Sequence, residues 1–201
     1  LIMAKYREIK GVTVQTRDTD PTVNAGVWAS APSLNATIRE GGGSGTSTSA
    51  INVGGVPYPM TSEQWNGSTW ATFANMGTPR TKNASAGTYT NAIVGNGSTP
   101  GTPGIGKINN VETWDGSSWS EIAEINSIRD GNGFSAAGTS TDVIYFGGAA
   151  PGGVSALNEQ WNGSAWTEVN DLNTARSYVV GMGTSTASLA VSGYPKIGRA
   201  S

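Results

Sequence analysis

The chain has 201 residues, 29 of them glycine, with a net charge of −2 and neither cysteine nor histidine. Those absences exclude a disulfide framework, a cysteine nucleophile, a Ser-His-Asp triad and the usual zinc or copper sites, leaving only oxygen ligands for ions such as calcium. The mild acidity argues against general nucleic-acid binding, and no run of about 18 apolar residues offers a membrane span. Charge density changes near Pro21: residues 1–20 carry seven charges and the other 181 carry nineteen. Val12, Val14 and Thr16 alternate as in a short strand, and Asp18-Thr19-Asp20-Pro21 reads as the turn that closes it. Residues 1–20 are therefore read as an N-terminal arm or linker, and residues 21–201 as a second region.

From Gly26 onward the chain repeats itself with a period of about 48 residues. The clearest marker is Glu-x-Trp, a short polar turn and a second Trp: Glu63 with Trp65 and Trp70, Glu112 with Trp114 and Trp119, Glu159 with Trp161 and Trp166. Ten residues after each second Trp lies an arginine, Arg80, Arg129 or Arg176, while Arg39 follows Trp28 by eleven. Gly-Thr-x-Thr follows at Gly45, Gly87, Gly138 and Gly183, and then an apolar run ending in glycine, as at Val143 to Gly148. The copies span about 26–70, 71–119, 120–166 and, in part, 167–201.

Within the third copy the pattern predicts strands over Phe134 to Ala137, Asp142 to Phe146, Leu157 to Trp161 and Trp166 to Val169. Asn-Gly or Asp-Gly between the last two is a hairpin signal, because primed turns need positive φ. No segment shows a sustained 3.6-residue apolar stripe. The fold class is therefore all-β, built from about 3.6 four-stranded repeats.

The repeated Trp65, Trp70, Trp114, Trp119, Trp161 and Trp166 suit either a sugar-stacking surface or a packed core. Identical register in every copy favours the core, where burying one indole is worth roughly 4–6 kcal/mol. The same argument favours structural ion pairs or backbone bonding for Glu63, Glu112, Glu159, Arg80, Arg129 and Arg176 over a carboxylate-binding arginine cluster. The remaining acids show no motif, so no enzyme activity, no metal and no cofactor are expected. The segments between the glycine-ending strand and Glu-x-Trp differ between copies: Val56 to Met60, Ser98 to Asn110 and Ala149 to Ala156. Variable loops on a repeated scaffold are where binding resides. Tyr58 and Lys107 are the candidate binding residues.

The order of arginine, apolar strand with Gly-Gly, aromatic residue and Trp resembles the kelch repeat, with Trp where that family usually has Tyr. The Gly pair stands at Gly54-Gly55 and Gly147-Gly148 and is altered at Asn96-Gly97 and Ser192-Gly193. This resemblance covers about residues 26–194 and implies blades of a kelch-like β-propeller. Such rings close with four to eight blades, so the expectation is a larger propeller, completed past Ser201 or by another chain. Trp-Asn-Gly-Ser-x-Trp, Leu-Asn-Thr-Ala-Arg and Gly-Thr-x-Thr, with the opening Ile9 to Pro21, resemble virion proteins of marine bacteriophages (cyanophages), tail fibres in particular. That resemblance implies a structural protein on the virion surface, extracellular when released, acting in host attachment. It implies an N-terminal arm that docks on other virion proteins, a homo-oligomer, and loops that meet a host-surface glycan or protein. The alternatives are a cellular kelch-like adaptor and, more weakly, a propeller glycosidase.

Overall fold

The computed structural model describes residues 29–57, 60–99, 106–131, 133–134 and 139–195. The chain divides into two units, Leu1–Ala31 and Pro32–Ser201, and every strand below belongs to the second. The arm read at residues 1–20 lies outside the described residues.

The architecture is all-β, and no helix occurs among the described residues. The first antiparallel sheet holds β1 (Gly42–Thr46), β2 (Ser49–Val53), β3 (Ser62–Trp65) and β4 (Trp70–Thr72) in sequential order. The second repeats that order with β5 (Ala84–Thr88), β6 (Asn91–Gly95), β7 (Val111–Trp114) and β8 (Trp119–Ile122). The third is formed by β9 (Gly133–Phe134), β10 (Val143–Phe146), β13 (Asn158–Trp161) and β14 (Trp166–Val169). A small hairpin, β11 (Ala149–Ala150) with β12 (Gly153–Val154), interrupts it. Last come the pair β16 (Val180–Thr184) with β17 (Ala187–Val191) and the short pair β15 (Arg176–Ser177) with β18 (Tyr194–Pro195).

Each Glu-x-Trp hairpin closes over a four-residue loop rather than a two-residue primed turn, because the two Trp residues pair directly: Trp65 with Trp70, Trp114 with Trp119, Trp161 with Trp166. Only the glycine of each loop has positive φ, while the preceding side chain shapes the turn. Asn66 Oδ1 accepts from the N–H groups of Ser68 and Thr69, both at 2.9 Å, and Asn162 does the same for Ser164 and Ala165. Paired rings lie 5.4–5.5 Å apart, tilted by 40–42°.

The sheets stack face to face. Ile51 and Val53 of the first sheet and Met76 beyond it pack on Ala92, Val94 and Trp114 of the second. Ala84, Ala86, Ile93 and Val111 in turn pack on Val143, Tyr145, Trp161 and Trp166 of the third. The first Trp of each pair donates its indole N–H to its own sheet's first hairpin, to Ser47 O, Tyr89 O and Ser140 O at 2.9–3.1 Å. The second donates to the link leaving the preceding sheet: Trp119 to Ala74 O at 3.0 Å and Trp166 to Ala123 O at 2.9 Å. One indole thus ties a sheet to itself and the other ties it to its neighbour.

Candidate functional site

In a sheet of order one to four, the connection between second and third strands and the link to the next sheet emerge at the same end. The buried ion pairs organise that end. Arg80 donates to Glu112 Oε1 at 2.6 Å and to the Asn96 and Asn110 carbonyls at 3.5 and 2.9 Å. Arg129 does the same with Glu159 at 2.8 Å and the Gly147 and Leu157 carbonyls at 3.1 and 2.5 Å. Both arginine side chains are fully buried. Burial pulls the Arg80 guanidinium below its ordinary value, and the Glu112 charge opposes that. Arg129 also lies 4.4 Å over the Tyr145 ring, whose phenol burial drives upward.

Each glutamate takes N–H groups from the link entering its sheet. Glu112 accepts from Gly77 and Thr78 at 2.7 and 3.0 Å, Glu159 from Asn126 at 2.9 Å, and Glu63 from Asn35 and Ala36 at 2.8 and 3.1 Å. Glu63 meets no cation among the described residues, because Arg39 is not in the register of the other arginines. The bridges Arg39–Val56, Thr81–Ser98, Asp130–Ala149 and Ser177–Tyr194 are equivalent, so Ile38 takes the place of Arg80. This corrects the sequence alignment by one residue and explains the spacing of eleven. Arg176 donates to Ser192 O at 3.0 Å and has no carboxylate beside it among the described residues.

Next to each of these positions the chain turns through a left-handed residue: Glu40, Lys82, Gly131 and Tyr178, with φ of 63, 54, 61 and 56°. They are joined head to tail. Lys82 N–H donates to Glu40 C=O at 2.7 Å, Gly131 N–H to Lys82 C=O at 3.2 Å, and Tyr178 N–H to Gly131 C=O at 2.5 Å. A backbone arc of one residue per repeat therefore holds the link segments together, while the side chains on it differ in every copy. Glu40, Gly41, Lys82, Asn83, Gly131, Tyr178 and Val179 line a recess of about 240 Å³ there. It offers a carboxylate, an ammonium group and a half-exposed phenol, the equipment of a polar binding surface. Nothing in sequence periodicity singled out Glu40, Lys82 or Tyr178. The available signal was a constant offset, two residues after Arg80, Arg129 and Arg176; it did not extend to Glu40, which follows Ile38 by two and Arg39 by one.

Of the sequence-derived binding candidates, Tyr58 lies outside the described residues. Lys107 Nζ is held by Asp130 Oδ1 at 2.5 Å and Ala149 O at 2.6 Å. Ser98 Oγ adds a bond to Asp130 Oδ2 at 2.7 Å, so the connection between β6 and β7 is fastened to the third sheet. Thr99 N–H closes on Gly106 O at 2.7 Å at the base of that connection. Among the described residues no group of three or more acidic side chains is placed to hold a metal ion.

No family model matches the sequence, and no curated protein matches it. Solved structures do: 144 chains match, so the arrangement of sheets recurs. One of them, "Structure of YjhT", superposes with a TM-score of 0.67 over 80% of this chain at 12% identity. The likeness is one of fold alone. The chain spans 60% of the length of that protein.

Proposed function

We propose that the protein is a non-catalytic structural and adhesion component of a bacteriophage virion, a tail fibre or similar surface appendage. Its sheets are blades of a kelch-like β-propeller, and residues 1–20 form the arm that docks it on other virion proteins as part of a homo-oligomer. The end of the blades that carries the variable connections and the Glu40–Lys82–Tyr178 arc is the face that meets a host-surface glycan or protein.

One observation carries this reading. The parts that recur are consumed by structure: the glutamates cap the link segments, the arginines sit beneath them and the indoles stitch sheet to sheet. What varies lies at one end. The connections there run from Gly55 to Glu63, from Gly97 to Glu112 and from Gly148 to Glu159, spacings of eight, fifteen and eleven positions. A rigid frame with changing loops suits recognition.

The test replaces residues 100–105 by a Gly-Ser segment of equal length and keeps the Thr99, Gly106 and Lys107 anchors. Particle adsorption to host cells, and binding of the purified chain to bacterial surface glycans, should fall about tenfold or more with thermal stability retained. Unchanged adsorption and glycan binding would refute the assignment of this face.

A further inference from the structure

At the end of the sheets that carries the connections, several polar side chains are already committed. Lys107 is spent on Asp130 and Ala149, Asp130 takes Ser98 as well, and Arg80 and Arg129 are closed over by glutamates. The recess of about 240 Å³ beside the backbone arc is different. Among the described residues, neither the Glu40 carboxylate nor the Lys82 ammonium group makes a hydrogen bond or an ion pair. Asn83, 6% exposed, also lines the recess. Its Nδ2 donates to Val53 O at 3.2 Å, and its Oδ1 accepts no bond. Buried amide oxygens are ordinarily hydrogen-bonded, so this one is an acceptor left over by the fold.

Tyr178 supplies the apolar wall. Its ring lies against Gly131, where an added Cβ would come within 3.3 Å of Cε1 and Cζ, so a side chain there would crowd the ring. Tyr194 packs on it in a T-shaped arrangement, with centroids 6.0 Å apart and 86° between the planes. Tyr178 is nonetheless 51% exposed. An aromatic ring braced by two neighbours and still open to solvent is a prepared platform for a ligand.

We infer, resting on the recognition-face reading above, that this recess is the subsite for one neutral hexopyranose residue of a glycan. Its volume lies below the roughly 300–1,000 Å³ of sites for drug-sized ligands, so it takes one ring rather than a chain. Its carboxylate and its ammonium group cancel, so it favours neither an anionic nor a cationic sugar. The acceptor sites on Glu40 and Asn83 outnumber the N–H donors of Lys82, which suits a ligand fringed with hydroxyl groups. Ring hydroxyls donate to Glu40 and Asn83, and another accepts from Lys82. The C–H face of the pyranose lies on the Tyr178 ring, whose face is the negative side of its quadrupole.

The experiment titrates the 201-residue chain with the methyl glycosides of glucose, galactose and mannose, read by saturation-transfer NMR and calorimetry. At least one should bind with a dissociation constant of about 1–10 mM. Glucuronic acid and glucosamine should each bind at least about fivefold more weakly than that glycoside. Tyr178→Asn keeps a residue tolerant of positive φ and should weaken binding at least about tenfold, with thermal stability retained. Glu40→Gln should weaken it about fivefold. Absence of saturable binding by all three, tighter binding of either charged sugar, or an affinity unmoved by both substitutions would overturn the subsite. The recess contains none of residues 100–105, so replacing them should leave glycoside binding intact. If that replacement abolishes adsorption and no glycoside binds, the subsite falls and the recognition face stands. If glycoside binding responds to Tyr178→Asn and adsorption survives the replacement, the subsite stands and the assignment of the loops falls.

Discussion

The first and third sheets hold the same glutamate at nearly the same depth, and only one of them has a guanidinium opposite. Glu159 faces Arg129, while Glu63, 1% exposed, is met by the N–H groups of Asn35 and Ala36, with Ile38 in the arginine's place. In the last copy Arg176 has no glutamate beside it among the described residues and is left partly exposed. The difference is directional. A carboxylate can be buried on backbone donors supplied by the link segment, but a guanidinium with five donors is buried here only where a carboxylate joins it. Among the three sheets that hold a Glu-x-Trp strand, the glutamate and its link are thus constant, and the arginine joins them in two.

The sharpest way to break the comparison is Glu159→Ala. It strands a fully buried Arg129 and should cost about 3–5 kcal/mol in denaturant unfolding. Arg129→Met should cost less, about 2 kcal/mol, because Glu159 keeps the Asn126 N–H and comes to resemble Glu63. Equal losses from the two substitutions would contradict the asymmetry. Ile38→Arg runs the comparison in reverse: it offers Glu63 a guanidinium and should add about 1 kcal/mol to unfolding stability.

The smallest effect separates two versions of the same exposed turn. Asp115 stands where the first and third sheets have Asn66 and Asn162. Its carboxylate accepts the N–H groups of Ser118 and Ser117 and the Ser117 hydroxyl, which lower its pKa to about 2. A depressed folded-state value means that the stabilisation is present above the ordinary aspartate range near ~4 and is lost as pH falls through about 2. Protection of the Ser117 and Ser118 amides, taken relative to their intrinsic exchange rates, should therefore fall across that window, and Asp115→Asn should remove that dependence by giving the turn the non-titrating acceptor of Asn66.

Much of this was readable before any coordinates. The Glu-x-Trp hairpins, the Gly-Thr-x-Thr turns and the apolar strands ending in glycine have local causes, namely side-chain alternation and turns that tolerate positive φ. They emerged as four-stranded antiparallel sheets. The second glycine of each doublet is a further local requirement. At Gly97, with φ of 100°, an added Cβ would lie 2.4 Å from Thr81 O, whereas the first position accepts Asn96 and Ser192 at φ of 55 and 65°.

Other features were hidden because their causes are distant in sequence. Counting from Trp28 put Arg39 among the repeat arginines, and only the strand bridges show it one place late. Lys107 stands in the sequence as a candidate binding residue on a variable connection, yet its partner Asp130 is 23 residues away and becomes a neighbour once two sheets stack. The arc through Glu40, Lys82, Gly131 and Tyr178 joins residues more than forty positions apart by main-chain bonds, which carry no side-chain signature. The sequence by itself determined the strands, the hairpins and the repeating glutamate, since each follows from neighbours along the chain. Tertiary structure alone decided which charges pair and which backbone groups meet, because burial and contact between sheets depend on how separate segments come together.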